Sequence, residues 1–385
     1  MNKRLFPWLL LVALCYAYSA TQANGNQDQL VKIVILGDTS FGESYQDRLA
    51  SKGRESVLHT RGYDYMIQEF AAFLSDADFT VANLETAITD KFPSPFEDKK
   101  EYIHYADVKK TPFYLERYGF DLVSLANNHA LDFGIAGLQQ TLELLSARKI
   151  DSCGAGPDWS MAKRPYIKRF EIASRQIHVA FLCMFEYRES YEEKYDYYAN
   201  AGRGGVNVLA ASETGSIVYE LRQKYPNLLV IAYPHWGENY KWASETQRTQ
   251  ARTMIDSGVD FVIGHGAHLV QELERYKERW IAYNLGNFVF GSPGRYKKRD
   301  AHPYGAIATL LLSLNVNGMD QKLRLYPIFS DNRLTNYRSR FVTEAEFEEV
   351  RTLLRSRSGL ADHFDTLVAS GADEHGLFLE LSMEP

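Results

Sequence analysis

Residues 31–38 read Val31-Lys32-Ile33-Val34-Ile35-Leu36-Gly37-Asp38, an aliphatic run broken once by Lys32 that stops on a glycine and a carboxylate. So short a run, rich in Val and Ile, fits a strand buried on both faces, as a parallel sheet covered by helices requires. The construction recurs. Residues 79–82 run into Asn83-Leu84-Glu85, 122–125 into Asn127-Asn128-His129, and 228–232 into Pro234-His235-Trp236-Gly237. Residues 261–263 run into Gly264-His265, and 280–284 into Leu285-Gly286-Asn287-Phe288. Helical spacing occupies 65–76, 111–118, 137–148 and 246–256; 178–184 reads as a further strand, and 306–316 with 322–329 as a closing antiparallel pair. Strands alternating with helices predict an α/β fold.

Asp38, Glu85, Asn128, His129, His235 and His265 each follow an apolar run, and ligand sites of open α/β sheets lie beyond the carboxyl ends of their strands. Carboxylate and amide oxygens with imidazole nitrogens suit one or two divalent ions, Mn, Zn, Fe or Mg, and exclude a thiolate site. Two such ions activate a water and stabilise charge in an in-line displacement. A neighbouring unligated His serves as proton donor or transition-state stabiliser.

The chain has 385 residues, 45% apolar and 24% charged, with a net charge of −6, so no basic surplus points to nucleic acid. Residues 1–23 read as a signal peptide: Lys3 and Arg4 precede an apolar stretch over 5–17, with cleavage after Ser19 or Ala23. Leu14 before Cys15 disfavours a lipoprotein, and an uncleaved N-terminal anchor is the second reading. Export to the periplasm or cell envelope leaves Cys153 and Cys183 open to a disulfide or to two buried thiols. The Tyr-rich stretch 186–203 reads as a surface loop over the site, 293–303 as a basic loop that is solvated or, in the second reading, binds an anionic substrate, and 337–385 as a helical, acidic appendage to a domain spanning 31–336.

Taken in order, Gly37-Asp38, Asn83-Leu84-Glu85, Ala126-Asn127-Asn128-His129 with Asp132 and Gly134, and His235-Trp236-Gly237-Glu238-Asn239-Tyr240 resemble the CapA family of capsule (poly-γ-glutamate) synthesis proteins. Gly264-His265-Gly266-Ala267-His268 with Gln271, and residues 283–290, complete the set. The resemblance implies a metallophosphoesterase-like four-layer α/β/β/α sandwich. It further implies Asp38 as first metal ligand, Glu85 as bridging carboxylate, Asn128 as amide ligand beside a catalytic His129, and His235 and His268 as imidazole ligands. Glu238 and Asn287 would line the substrate site. Trp236 is set with them, against an equal expectation that it packs in the core. Two departures stand out: Ser40 occupies a position where metallophosphoesterases carry His, and Gly266-Ala267-His268 replaces His-Pro-His, so that His265 stands ready to contribute.

The implied function is synthesis, export or trimming of an anionic capsule polymer such as poly-γ-glutamate, with that polymer and a membrane-bound synthesis or export complex as partners. A metal-dependent phosphoesterase acting on phosphate esters, and a non-catalytic partner of a polymer synthase, are the alternatives. His59, His104, His178, His363 and His375 carry no assigned role.

Overall fold

Ten consecutive buried residues, Val31–Ser40, form the central strand β1. The computed structural model describes residues 30–315 and 318–383, so the signal-peptide reading of 1–23 lies outside the described residues. The other main strands are β2 (Phe79–Leu84), β3 (Leu122–Ser124), β4 (Asp151–Cys153), β5 (Tyr166–Ile172), β6 (Arg175–Phe185), β7 (Leu228–His235) and β8 (Phe261–Ile263). They continue as β9 (Leu273–Tyr276), β10 (Arg279–Ala282), β11 (Asn287–Phe290), β12 (Tyr304–Asn315), β13 (Gly318–Phe329), β14 (Arg340–Phe341), β15 (Val368–Asp373) and β16 (Gly376–Leu381).

The larger sheet runs β15-β16-β13-β12-β1-β2-β3-β4, with β11 on β1 and β14 on β13. Strands β1 to β4 are parallel. Strand β12 pairs antiparallel with β1 from Val31 to Ile35, and β11 takes over in parallel from Asp38 to Ser40. That exchange of partner falls at Asp38, where β2 remains paired on the other side. The second sheet runs β9-β10-β8-β7-β6-β5, parallel inside and antiparallel at both edges.

Period-two alternation sorts the second sheet's side chains between two cores. Val179, Phe181, Cys183 and Phe185 of β6 and Leu229, Ile231 and Tyr233 of β7 join Ile33, Ile35, Val81 and Val123 of the larger sheet. Ala180, Leu182, Met184, Leu228, Val230 and Ala232 turn the other way. There they are covered by Val218 of the helix Thr214–Lys224 and by Ala251, Met254 and Ile255 of the helix Glu245–Asp256. Leu115, Leu138 and Leu145, from the helices Lys110–Arg117 and Gly134–Ala147, join the core of the larger sheet. The result is a four-layer α/β/β/α arrangement.

Four local readings differ from the structure. The helix expected over 65–76 is two short helices, Asp64–Ile67 and Ala71–Ser75, joined by the 3-10 turn Gln68–Phe70. The stretch 186–203 holds a helix, Glu189–Tyr195, and packs Tyr197 and Tyr198 inward. The basic loop 293–303 contains the turn Tyr296–Arg299 and buries Tyr296. The segment 337–385 has its helix, Glu344–Arg357, started by a capping box of Thr343 and Glu346. It also has two strands: β16 pairs with β13 and extends the larger sheet, burying Phe378, Leu379 and Leu381. Among the described residues, no helix is long and apolar enough to cross a membrane.

A disulfide joins Cys153 of β4 to Cys183 of β6 across the two sheets, at a sequence separation of 30. Closing a loop of that length removes unfolded-state entropy equivalent to about 3–4 kcal/mol. The Cys153→Ser, Cys183→Ser double variant is expected to lose about that much stability in denaturant titration. Its metal content should stay that of the wild type, because neither sulfur lies in the polar cluster described below. A stability change below about 1 kcal/mol, or loss of metal from folded protein, contradicts this account.

Candidate metal centre

Asp38 is fully buried, and every group around its carboxylate comes from a strand end or the loop after one. Asn83 donates to Oδ1 at 2.9 Å, and the Gly266 backbone N–H donates to Oδ2 at 3.1 Å. His265 Nδ1 stands 3.4 Å from Oδ1, His268 Nδ1 3.3 Å from Oδ2, and His235 Nδ1 3.8 Å from Oδ1. His235 and His265 also meet each other, Nδ1 to Nδ1, at 3.0 Å. The backbone permits this crowding at two glycines. The Asp38 N–H donates to Gly286 O at 2.9 Å, so Gly37 lies against that carbonyl with no room for a side chain. Gly266, at φ +110°, lets its N–H turn inward beneath the His235 ring.

Glu85, at the end of β2, completes the cluster. Donor atoms of Asp38, His235 and His265 all fall within 4.8 Å of one another, as do those of Asp38, Glu85 and His268. The member common to both groups is Asp38, whereas the family resemblance gave the bridging place to Glu85. His268 sits in the left-handed region at φ 63°, which costs a non-glycine residue roughly 1 kcal/mol. Its Nδ1 meets Asn287 Oδ1 at 2.9 Å. Its carbonyl accepts from the Tyr296 hydroxyl at 2.9 Å, which in turn accepts from Asn287 Nδ2 at 3.0 Å.

The loop after β3 supplies the opposite wall. Asn127 donates to Asn83 Oδ1 and to Leu84 O, and its own Oδ1 accepts the His129 N–H at 3.0 Å. His129 Nδ1 is 2.6 Å from Asp132 Oδ2, which turns Nε2 toward Glu85 at 3.9 Å. Asp132 is held by the Lys100 ammonium, which also bonds Asn128 O, and by the His104 N–H at 2.6 Å. The His104 ring stacks on His129 with centroids 3.8 Å apart.

Charge follows from this packing. Burial would raise the pKa of Asp38, yet hydrogen bonding to His265 and His268 holds it well below the usual carboxylate range. Burial, and then the charge of Asp38, push Glu85 well above that range. Burial opposes protonation of His268, but the charges of Glu85 and Asp38 outweigh it and hold its pKa up at about 9. Burial lowers His129 and His235, with Lys100 adding to the effect on His129 and His265 to that on His235. Asp38 and Glu85 thus share a buried site in which a bound cation would offset the cost of ionising both.

Buried Glu85 Oε2, Asn128 Oδ1 and His265 Nε2 have no hydrogen-bond partner among the described residues. The orphaned atoms of Glu85 and His265 belong to the cluster itself, whose two carboxylates and three imidazoles are a donor set that fits a divalent ion; Asn128, expected as an amide ligand, is not in either group of converging donors. Ser40, at the position where the resemblance led to a His being expected, accepts the Gly42 N–H and shapes the loop after β1.

The expected substrate contacts fare differently. Asn287 is buried and positions His268 rather than lining an open surface. Glu238 is exposed. Of the two expectations for Trp236 the structure shows core packing: it is wholly buried, belongs to the cluster under the outer helices, and donates its indole N–H to Tyr283 O at 2.7 Å. His104, left without a role, stacks on His129. Lys100, Asn83 and Tyr296 are further supports that the sequence reading did not single out; Asn83 and Tyr296 had no acidic or imidazole side chain to draw attention.

Two facing sheets with a carboxylate–imidazole cluster at their strand ends define a metallophosphoesterase-like protein. The chain belongs to the family of bacterial capsule synthesis proteins, PGA_cap, whose sequence model matches residues 32–292. It is 26% identical over 308 residues to the PGA biosynthesis protein CapA of Bacillus subtilis, covering 78% of this chain and 75% of that protein. It is likewise 26% identical over 275 residues to the capsule biosynthesis protein CapA of Bacillus anthracis, covering 69% of this chain and 61% of that one. A probable polyglutamine synthesis accessory protein of Mycobacterium tuberculosis is 30% identical over 218 residues, 55% of either chain.

Proposed function

We propose that this chain is an exported, metal-dependent hydrolase that trims or releases an anionic polymer of the poly-γ-glutamate kind during capsule production. The observation that carries this reading is the convergence of Asp38, Glu85, His235, His265 and His268, with Glu85 Oε2 and His265 Nε2 left unpartnered among the described residues. Asp38, His235 and His265 would hold one divalent ion, and Asp38, Glu85 and His268, with Asn128, a second. Such ions, when bound, polarise the group under attack and lower the pKa of a water. His129 is the catalytic side chain: Asp132 fixes its Nδ1–H, and burial keeps the ring neutral, so Nε2 accepts a proton and returns it to a leaving group. The names of the relatives support an anionic polymer as substrate and a membrane-bound synthesis or export complex as partner. The signal-peptide pattern and a disulfide across the sheets support an oxidising compartment, the periplasm or cell envelope.

Purified metal-loaded protein should shorten poly-γ-glutamate, followed by chain length, with a generic phosphodiester assayed alongside. His129→Ala is expected to lower turnover about 10²–10⁴-fold while metal content stays unchanged. Turnover on the phosphodiester alone would replace the polymer with a phosphate-ester substrate. A loaded wild type that turns over neither would leave the fold as a binding surface and end the hydrolase reading.

A further inference from the structure

Arg188 stands beside the metal centre without belonging to it. It follows the last residue of β6 by three positions and is built into place. Its Nε donates to Glu186 Oε1 at 2.7 Å, while Glu186 Oε2 accepts the Gly237 N–H at 2.8 Å. Its backbone N–H donates to the Tyr198 hydroxyl at 2.8 Å. The guanidinium lies over the Phe185 ring at 5.1 Å, and that ring packs against His235 with centroids 5.4 Å apart. Its side chain is 28% exposed.

Among the described residues, one donor edge has no partner. Nε and Nη2 make the contacts to Glu186 and Gly237, and Nη1 takes part in none of them. The positive charge nevertheless reaches Glu85, His129 and His235. Lys100, the other cation that acts on Glu85 and His129, gives two of its three N–H donors to Asp132 and Asn128 O, and its side chain is only 7% exposed. Of these two cations Arg188 is the more accessible, and its guanidinium edge is suited to oxyanions.

We propose that Arg188 is the anion-receiving residue of this site, binding through its Nη1 edge a phosphate or carboxylate oxygen of the ligand that occupies the metal centre. This inference rests on the reading of that centre as a ligand-processing site. Its role is positioning and specificity; Glu186 orients the guanidinium and ties it to the loop after His235.

The test is calorimetric titration of metal-loaded protein with inorganic phosphate and, in a separate arm, with a short γ-linked glutamate oligomer. Arg188→Ala should weaken binding in at least one arm by about tenfold to a hundredfold, with metal content and melting temperature unchanged. Arg188→Lys, which keeps the charge but loses the fork, should fall between the two. Weakening in the phosphate arm alone assigns a phosphate group, and in the oligomer arm alone a carboxylate. Should the alanine variant fold poorly, Arg188→Lys and Arg188→Gln decide by the same comparison. Affinities within about twofold of wild type in both arms, or a wild type that binds neither probe, overturn the proposal. Metal content is measured separately: a metal-free wild type would refute the function proposed above, while the phosphate arm on that same protein would still read the contribution of Arg188.

Discussion

Replacing Glu85 with alanine is expected to weaken divalent-metal binding by more than the 10–100-fold that follows loss of an outer supporting residue. Glu85 is 1% exposed, and its Oε2 has no hydrogen-bond partner among the described residues. The nearby Asp38 charge makes its ionisation still more costly. A bound cation reverses both penalties, so the loss should appear in metal affinity rather than in the fold. Indeed the metal-free E85A protein should melt no lower than metal-free wild type, because the variant removes a buried carboxylate that lacks a partner. His265→Ala should cost less, since His235 Nδ1 also approaches Asp38 Oδ1. Competition titration with a chelating dye reads all three proteins. An E85A variant with wild-type affinity would remove Glu85 from the ligand set.

The second large effect concerns backbone. A Cβ on Gly37 would lie 1.9 Å from the Gly286 carbonyl oxygen and 3.0 Å from its carbon, both main-chain atoms with no rotamer to yield. Strands β1 and β11 would have to part, breaking the Asp38 N–H bond to Gly286 O and carrying Asp38 out of the cluster. Gly37→Ala is therefore expected to destabilise the protein by about 3 kcal/mol or more and to weaken metal binding with it. Gly53→Ala is the control: its φ is positive, at +64°, but a Cβ there meets nothing within 4 Å. Its cost should stay near 1 kcal/mol, the conformational term alone. Denaturant melts in which G37A and G53A behave alike would contradict the close approach of the two strands.

Much of this architecture was readable because its strands are buried on both faces, so short apolar runs end abruptly in polar residues at the sheet edge. Asp38, Glu85, His129, His235 and His265 lie at those ends. What the sequence hides is side-chain direction and tertiary closure. Trp236 adjoins His235, yet one step along a strand reverses the face: Ile231, Tyr233 and His235 point inward, while Ala232 and Trp236 point to the helices. Counting from Ile231 would have placed Trp236 in the core. Lys100, His104 and Arg188 come from segments without apolar periodicity, and only the closing of those loops over Asp132 and Gly237 brings them in. The last strand is legible in the alternating Gly376-Leu377-Phe378-Leu379-Glu380-Leu381, whereas β15, with Ala369, Ser370, Gly371 and Ala372, carries little apolar signal of its own.

The central claim is that the strand-end cluster holds a divalent metal. Its most direct test is metal analysis of the purified protein followed by anomalous diffraction at the edges of the elements found. The predicted result is at least one ion per chain, within coordination distance of Asp38 and of His235 and His265, or of Glu85 and His268. The contradicting result is a protein that takes up no divalent metal under any condition. A signal confined to Asp76, Glu374 and His375, where Lys32 already neutralises Asp76 at 2.8 Å, would contradict it equally.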